Sequence, residues 1–121
     1  MKILTDINQI NKILENFKGD KAQFWLYDIT HKKIAIRISI NNRDEVIYLV
    51  MASCQYIRGI FSWDNPIFYV DKYYNVKEME NIYRLVDKSV DFQLEGSGGI
   101  ALAKGLENEL GDSFEDFFKE K

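Results

Sequence analysis

Four isoleucines, Ile34, Ile36, Ile38 and Ile40, alternate with Ala35, Arg37 and Ser39. No other stretch constrains the fold as tightly. A period of two puts consecutive side chains on opposite faces of an extended chain, so this segment reads as a strand with one face in a core and one toward water or a partner. It lies inside a longer run, Ala22 to Val70, in which apolar segments are separated by short polar breaks. Before it, Gln23 to Ile29 is aromatic and β-prone, and Thr30-His31-Lys32-Lys33 is a break of hairpin length. After it, Asn41 to Asp44 form a turn rich in residues that bond their own backbone, and Val46 to Ala52, apolar on both faces, suits a central strand.

Cys54 to Phe61 continues the pattern around Gly59, a residue that inside a strand marks a bulge or a close approach of another backbone. Trp63-Asp64-Asn65-Pro66 breaks it, because Pro66 has no N–H to give a ladder. Ile67 to Val70 resumes as a strand.

Upstream, residues 5 to 18 form the best amphipathic helix. Thr5 or Asp6 can cap it, Ile7, Ile10, Ile13 or Leu14, and Phe17 recur at helical spacing, and Asn8, Asn11, Lys12 and Glu15 take the other side. Residues 76 to 88 fit helix and strand alike. The strand reading of Ile82 to Val86 is preferred, because a hairpin with Val90 to Leu94 buries Ile82, Val86, Val90, Phe92 and Leu94 together. Gly96-Ser97-Gly98-Gly99 reads as a flexible hairpin connection before Ile100 to Ala103. Beyond Gly105 the chain is acidic and helix-compatible, with Phe114, Phe117 and Phe118 on one side and Asp112 or Ser113 as cap.

The fold expected is α+β: an antiparallel meander sheet of about six to eight strands, strongly bent or even barrel-like, with an N-terminal helix and a short acidic C-terminal helix. Residues 1–121 read as a single globular domain, a length that can bury a continuous core unaided.

Composition narrows the function. Cys54 is the one cysteine, which excludes an internal disulfide and fits a reducing cytoplasm. No apolar region suits a signal peptide, and none approaches the roughly 20 residues of a membrane span, so a soluble, cytoplasmic protein with no membrane partner is expected. The net charge is −3, and the excess is concentrated after Gly105, where Glu107, Glu109, Asp112, Glu115, Asp116 and Glu120 face only Lys119 and Lys121. A near-neutral body argues against nucleic acid, which demands a basic field.

No catalytic constellation emerges. His31 is the single histidine, sits beside two lysines in a turn, and reads as a surface residue. Cys54 reads as buried and inert, although a meander could bring it near His31. The glycine run lacks the lysine of a P-loop and the parallel context of a dinucleotide site. Asp87 and Asp91, or Glu107 and Glu109, read as ordinary solvated carboxylates. No cofactor and no metal are therefore expected.

What stands out is aromatic and cationic. Tyr56, Arg58, Trp63, Tyr69, Tyr73 and Tyr74 crowd one stretch and form the candidate interaction surface, since such side chains combine large contact area with a polar tip. Arg37, Arg58 and Arg84 are candidate anion contacts. Glu107, Glu109, Glu115 and Asp116 form a candidate acidic contact surface. The reading that follows is a small non-enzymatic binding protein that works through contact with an unidentified protein partner or through self-association, an antidote or immunity type being one concrete version. The alternative is a small-molecule or lipid binding module, or a weak enzyme, with a pocket between the helix and a curved sheet.

Overall fold

A computed structural model of the chain describes residues 2–110. The chain opens with a short strand, β1 (Lys2–Leu4), and enters α1 (Ile7–Asn16), whose first turn is capped by Asp6 accepting from the Gln9 amide at 3.0 Å. Seven strands follow: β2 (Lys21–Asp28), β3 (Lys33–Ser39), β4 (Glu45–Met51), β5 (Cys54–Arg58), β6 (Ser62–Asp64), β7 (Tyr69–Asn75) and β8 (Glu80–Asp87). A 3-10 turn (Lys88–Val90) leads to β9 (Phe92–Gly96), β10 (Ile100–Leu106) and a four-residue helix, α2 (Glu107–Leu110).

The strands form two antiparallel sheets, ordered β1-β10-β4-β3-β2-β6 and β5-β9-β8-β7, and neither closes into a barrel. The α+β architecture and both helix positions match the sequence reading. Two three-residue strands, β1 and β6, go beyond the expected number, being too short to show periodicity. The acidic helix read around Phe114, Phe117 and Phe118 lies outside the described residues.

β4 is central, paired on one side with β3 and on the other with β10, and every residue from Val46 to Met51 is buried. One core gathers side chains from both sheets: Ile34, Ile36, Ile38, Ile47, Leu49 and Leu102 from the first, Val70, Leu85, Phe92 and Leu94 from the second. Burial of each such side chain is worth about 1.5–3 kcal/mol. The second face of the six-stranded sheet is not simply solvent-facing: Ala35, Val46, Tyr48, Val50 and Ala103 are buried there, with Trp25 and Leu26 packed against them. A register shift between Phe24 and Leu26 on β2 marks the place. α1 closes one side of the core through Ile10, which is fully buried, and through Asn11. Asn11, read as a polar-face residue, donates to the Val70 carbonyl and accepts from the Val70 amide, both at 2.8 Å, and so pins the helix to β7.

Residues 76–79 form the turn of the β7/β8 hairpin, and β8 runs through Ile82 to Val86 as the strand reading requires. Its pairing with β9 matches Leu85 with Leu94 and Asp87 with Phe92. Val90 stands in the 3-10 turn and not in the strand.

Two turns differ from the sequence reading. The break at Trp63 begins two residues later, with Ser62–Asp64 pairing to Lys21–Gln23 and the turn starting at Asn65. The glycine run is no hairpin, because β9 and β10 belong to different sheets. It carries the chain across the gap, with the Ser97 amide donating to the Ser53 carbonyl at 3.2 Å and the Gly98 amide to the Ala52 carbonyl at 3.0 Å. A Cβ on Gly98 would sit 2.8 Å from the Ala52 backbone, so the contact itself demands glycine.

Candidate interaction surface

The two sheets separate where β2 leaves β6. β6 pairs with β2 over Lys21 to Gln23 only, and one further bond, from the Phe24 amide to the Phe61 carbonyl, closes that side. From Trp25 to Asp28, β2 is paired, among the described residues, with β3 alone. Across the opening lies β5, the edge of the second sheet, paired among the described residues only with β9. Two strand edges therefore flank one cleft.

The segment that joins them is shaped by Gly59. Its φ of +140° is a conformation that L side chains rarely adopt, and a Cβ there would lie 2.7 Å from the Phe92 ring. The backbone thus rests on the core aromatic while Ile60 and Phe61 are turned outward, Phe61 being 78% exposed. Phe61 meets Phe24 edge to face, with ring centroids 5.6 Å apart. Together with Tyr27, Tyr56, Ile57 and Ile60 these rings line a cleft of about 450 Å³. Tyr27, Ile57 and Ile60 are each close to half exposed, which makes this a contiguous apolar surface and not scattered single residues.

The cleft continues at Cys54 and Gln55 into a second depression, of about 500 Å³, lined by Thr30, His31, Lys32, Lys33 and Ser53. Backbone bonds fix this corner: the Ser53 amide donates to the His31 carbonyl at 3.3 Å, and the Cys54 amide to the Lys32 carbonyl at 2.9 Å. Cys54 and His31 are thus brought into one corner. His31 Nδ1 lies 3.2 Å from Asp28 Oδ2, a contact that lowers the Asp28 carboxylate below its usual range. The Cys54 thiol donates to the Met51 carbonyl at 3.3 Å and is pushed up to about 11 by burial, the reverse of an activated nucleophile. Among the described residues no cluster of three or more His, Cys, Asp or Glu side chains is placed to hold a metal ion.

The residues singled out from sequence are distributed differently. Tyr56 and Arg58 lie on β5; Tyr56 lines the cleft, whereas Arg58 does not and pairs with Asp91 at 2.8 Å. Trp63 is buried, inside an aromatic cluster with Phe68 and Phe92. Tyr69, Tyr73 and Tyr74 lie on β7, the opposite edge of the same sheet, where Tyr73 donates to Glu95 at 3.2 Å. The three arginines are not brought together. Arg37 stacks on Trp25 at 4.4 Å and reaches Glu107 at 3.0 Å, while Arg84 makes a two-point contact with Asp71 at 2.6 and 2.7 Å. Of the four acidic candidates, Glu107 is engaged with Arg37, Glu109 accepts from the Leu106 amide at 2.9 Å, and Glu115 and Asp116 lie outside the described residues.

Phe24, Tyr27, Ile57, Ile60 and Phe61 were not legible as a surface, because an apolar residue near a turn carries no mark of which way it faces. Asp87, a solvated carboxylate by its sequence, is not one in the structure. It is fully buried and accepts from Trp63 Nε1, from the Ile67 and Ser89 amides, and from the Ser89 hydroxyl. The sequence did hold a signal for it: a buried indole needs an acceptor, and Asp two residues before Ser forms its own turn.

No family model, no curated protein and no solved structure matches the chain. Among the described residues no helix is long and apolar enough to cross a membrane.

Proposed function

We propose that the protein is a small non-enzymatic binding protein that acts by protein contact, with the cleft between β2 and β5 as its docking surface. The observation that carries this reading is the outward display of Ile60 and Phe61 beside Phe24, Tyr27 and Ile57. Apolar area of this kind is costly to leave in water, and a rim of two open strand edges supplies hydrogen-bonding groups to a partner. The acidic antidote version draws less support, since Glu107 is already spent on Arg37.

The test uses Phe61→Ser and Ile60→Ser in the full chain. Proteins retained from a lysate by the wild type but lost by both variants, together with a photo-crosslinker at Tyr27 that reaches the same protein, would support the reading. Equal retention by all three chains, or crosslinking that ignores the substitutions, would overturn it.

A second reading, small-molecule or lipid binding, draws on a depression of about 370 Å³ beside the end of α1, lined in part by Phe17, Ile40, Arg43 and Lys104. A metabolite that raises the melting temperature of the wild type but not of Arg43→Ala would favour it.

A further inference from the structure

We infer that the outer face of the six-stranded sheet is the docking site of the chain's own last segment, residues 111–121, which crosses it as an amphipathic helix with Phe114, Phe117 and Phe118 against the strands. Three observations carry it.

The first is burial. Ala35, Val46, Tyr48 and Ala103 are at most 1% exposed and Val50 only 6%. These residues, with Trp25 and Leu26 packed against them, all belong to β2, β3, β4 and β10, so every described member of the cluster comes from the sheet itself. α1 and the second sheet pack on the opposite face. A sheet loses the centre of a face from water only when a further layer lies on it. Arg37, two positions along β3 from Ala35 and so on the same face, keeps 13% of its side chain exposed, and its buried Nε has no acceptor among the described residues. That is the condition of a covered arginine, not of one facing solvent.

The second is position and reach. α2 continues directly from β10, and Arg37 on β3 reaches Glu107 at 3.0 Å from the far side of β4. The chain therefore leaves β10 on the outer side. Residues 111–121 extend about 16 Å as a helix, and the spacings from β10 across β4 and β3 to β2 add to about 14 Å. The remaining chain is long enough to cover the cluster.

The third is pattern. Phe114, Phe117 and Phe118 stand at i, i+3 and i+4, one side of a helix, whereas Asp112, Asp116, Lys119 and Glu120 fall on the other. In the ladders Ala35 stands beside Val50 and Ala103 beside Tyr48, and small side chains next to large ones leave room for rings from a covering layer. A second copy or a foreign protein on this face would leave the three phenylalanines without cover of their own.

The experiment places a benzoylphenylalanine photoprobe at Phe117 of the full chain and, in a separate chain, at Asp116. Equal amounts of isotope-labelled and unlabelled protein are mixed and irradiated, and the linked peptides are mapped by mass spectrometry. The expected result is linkage within one chain from position 117 to the peptides that carry Ala35, Tyr48 and Val50, and several-fold less from position 116. Links between labelled and unlabelled chains would give the face to a second copy and overturn the inference. Links that avoid these strands would overturn it as well, and equal linkage from both positions would overturn the helical orientation. A second measurement does not depend on the probe. Phe117→Ser should lower the melting temperature by several degrees and raise acrylamide quenching of tryptophan, since Trp25 packs against the covered cluster, whereas Lys119→Ser should do neither. A Phe117→Ser chain that melts and quenches like wild type would overturn the inference.

Discussion

Trp63 donates its indole N–H to Asp87 at 2.8 Å, across 24 residues of sequence and between the two sheets. The same carboxyl oxygen accepts the Ile67 amide at 2.9 Å, and the other oxygen holds Ser89 by its amide and its hydroxyl. One buried acid therefore fixes the turn after β6, the 3-10 turn after β8 and the orientation of a core aromatic.

Asp87→Ala should accordingly destabilise the fold by about 3 kcal/mol, since the buried Trp63 indole N–H and three part-buried donors lose their acceptor at once. Asp87→Asn, which keeps one acceptor oxygen, should lose less. Urea unfolding followed by Trp fluorescence measures both, and an alanine variant as stable as wild type would contradict the role given to Asp87.

Glycine substitutions should separate steric from conformational cost. Gly59→Ala meets the Phe92 ring at 2.7 Å and also keeps an unfavourable φ of +140°, so a loss of about 2 kcal/mol or more is expected. Gly99→Ala meets nothing within 4 Å and bears only the strain of φ +87°, for which about 1 kcal/mol suffices. Thermal melts of the two variants should rank in that order.

The Cys54 thiol should be slow toward iodoacetamide at neutral pH. With its ionisation pushed up to about 11, the thiolate fraction stays small and the alkylation rate should keep climbing through pH 9 and 10 without a plateau. A rate that levels off by about pH 9.5 would show an ordinary exposed cysteine.

Truncations should distinguish the core from the cleft. Leu85→Ala removes a side chain with no exposed surface from the shared core and should cost about 3 kcal/mol. Phe61→Ser, at a side chain that is mostly exposed, should stay within about 0.5 kcal/mol of wild type. A large loss at Phe61 would make it a structural residue and remove the basis for a docking surface.

The architecture was largely legible because its strongest signals are periodic. Ile34 to Ile38, Val46 to Met51 and the capped α1 each follow from side-chain spacing alone, and they stand where the sequence puts them. What escaped depends on contacts between distant segments. The sequence of Gly96 to Gly99 reads the same whether it turns back within one sheet or crosses to another, and the Ala52 carbonyl that decides the matter lies more than 40 residues away. Trp63 and Phe61 are two aromatics two residues apart, one buried within β6 and one exposed in the bend before it, and nothing in their local sequence tells them apart.

The order of strands has a kinetic consequence. β5 leaves the first sheet, β6 returns to it, β7 leaves again and β10 comes back, so no single cut of the chain releases either sheet intact. The β4/β10 ladder, which pairs Glu45 with Leu106 and Met51 with Ile100, cannot close until everything between has been ordered or looped out. Folding of such a chain is governed by non-local closure and belongs on the millisecond-to-second scale. Amide hydrogens in the two sheets should become exchangeable together, as one cooperative unit, with the outer edge of β5 as the place where opening is cheapest.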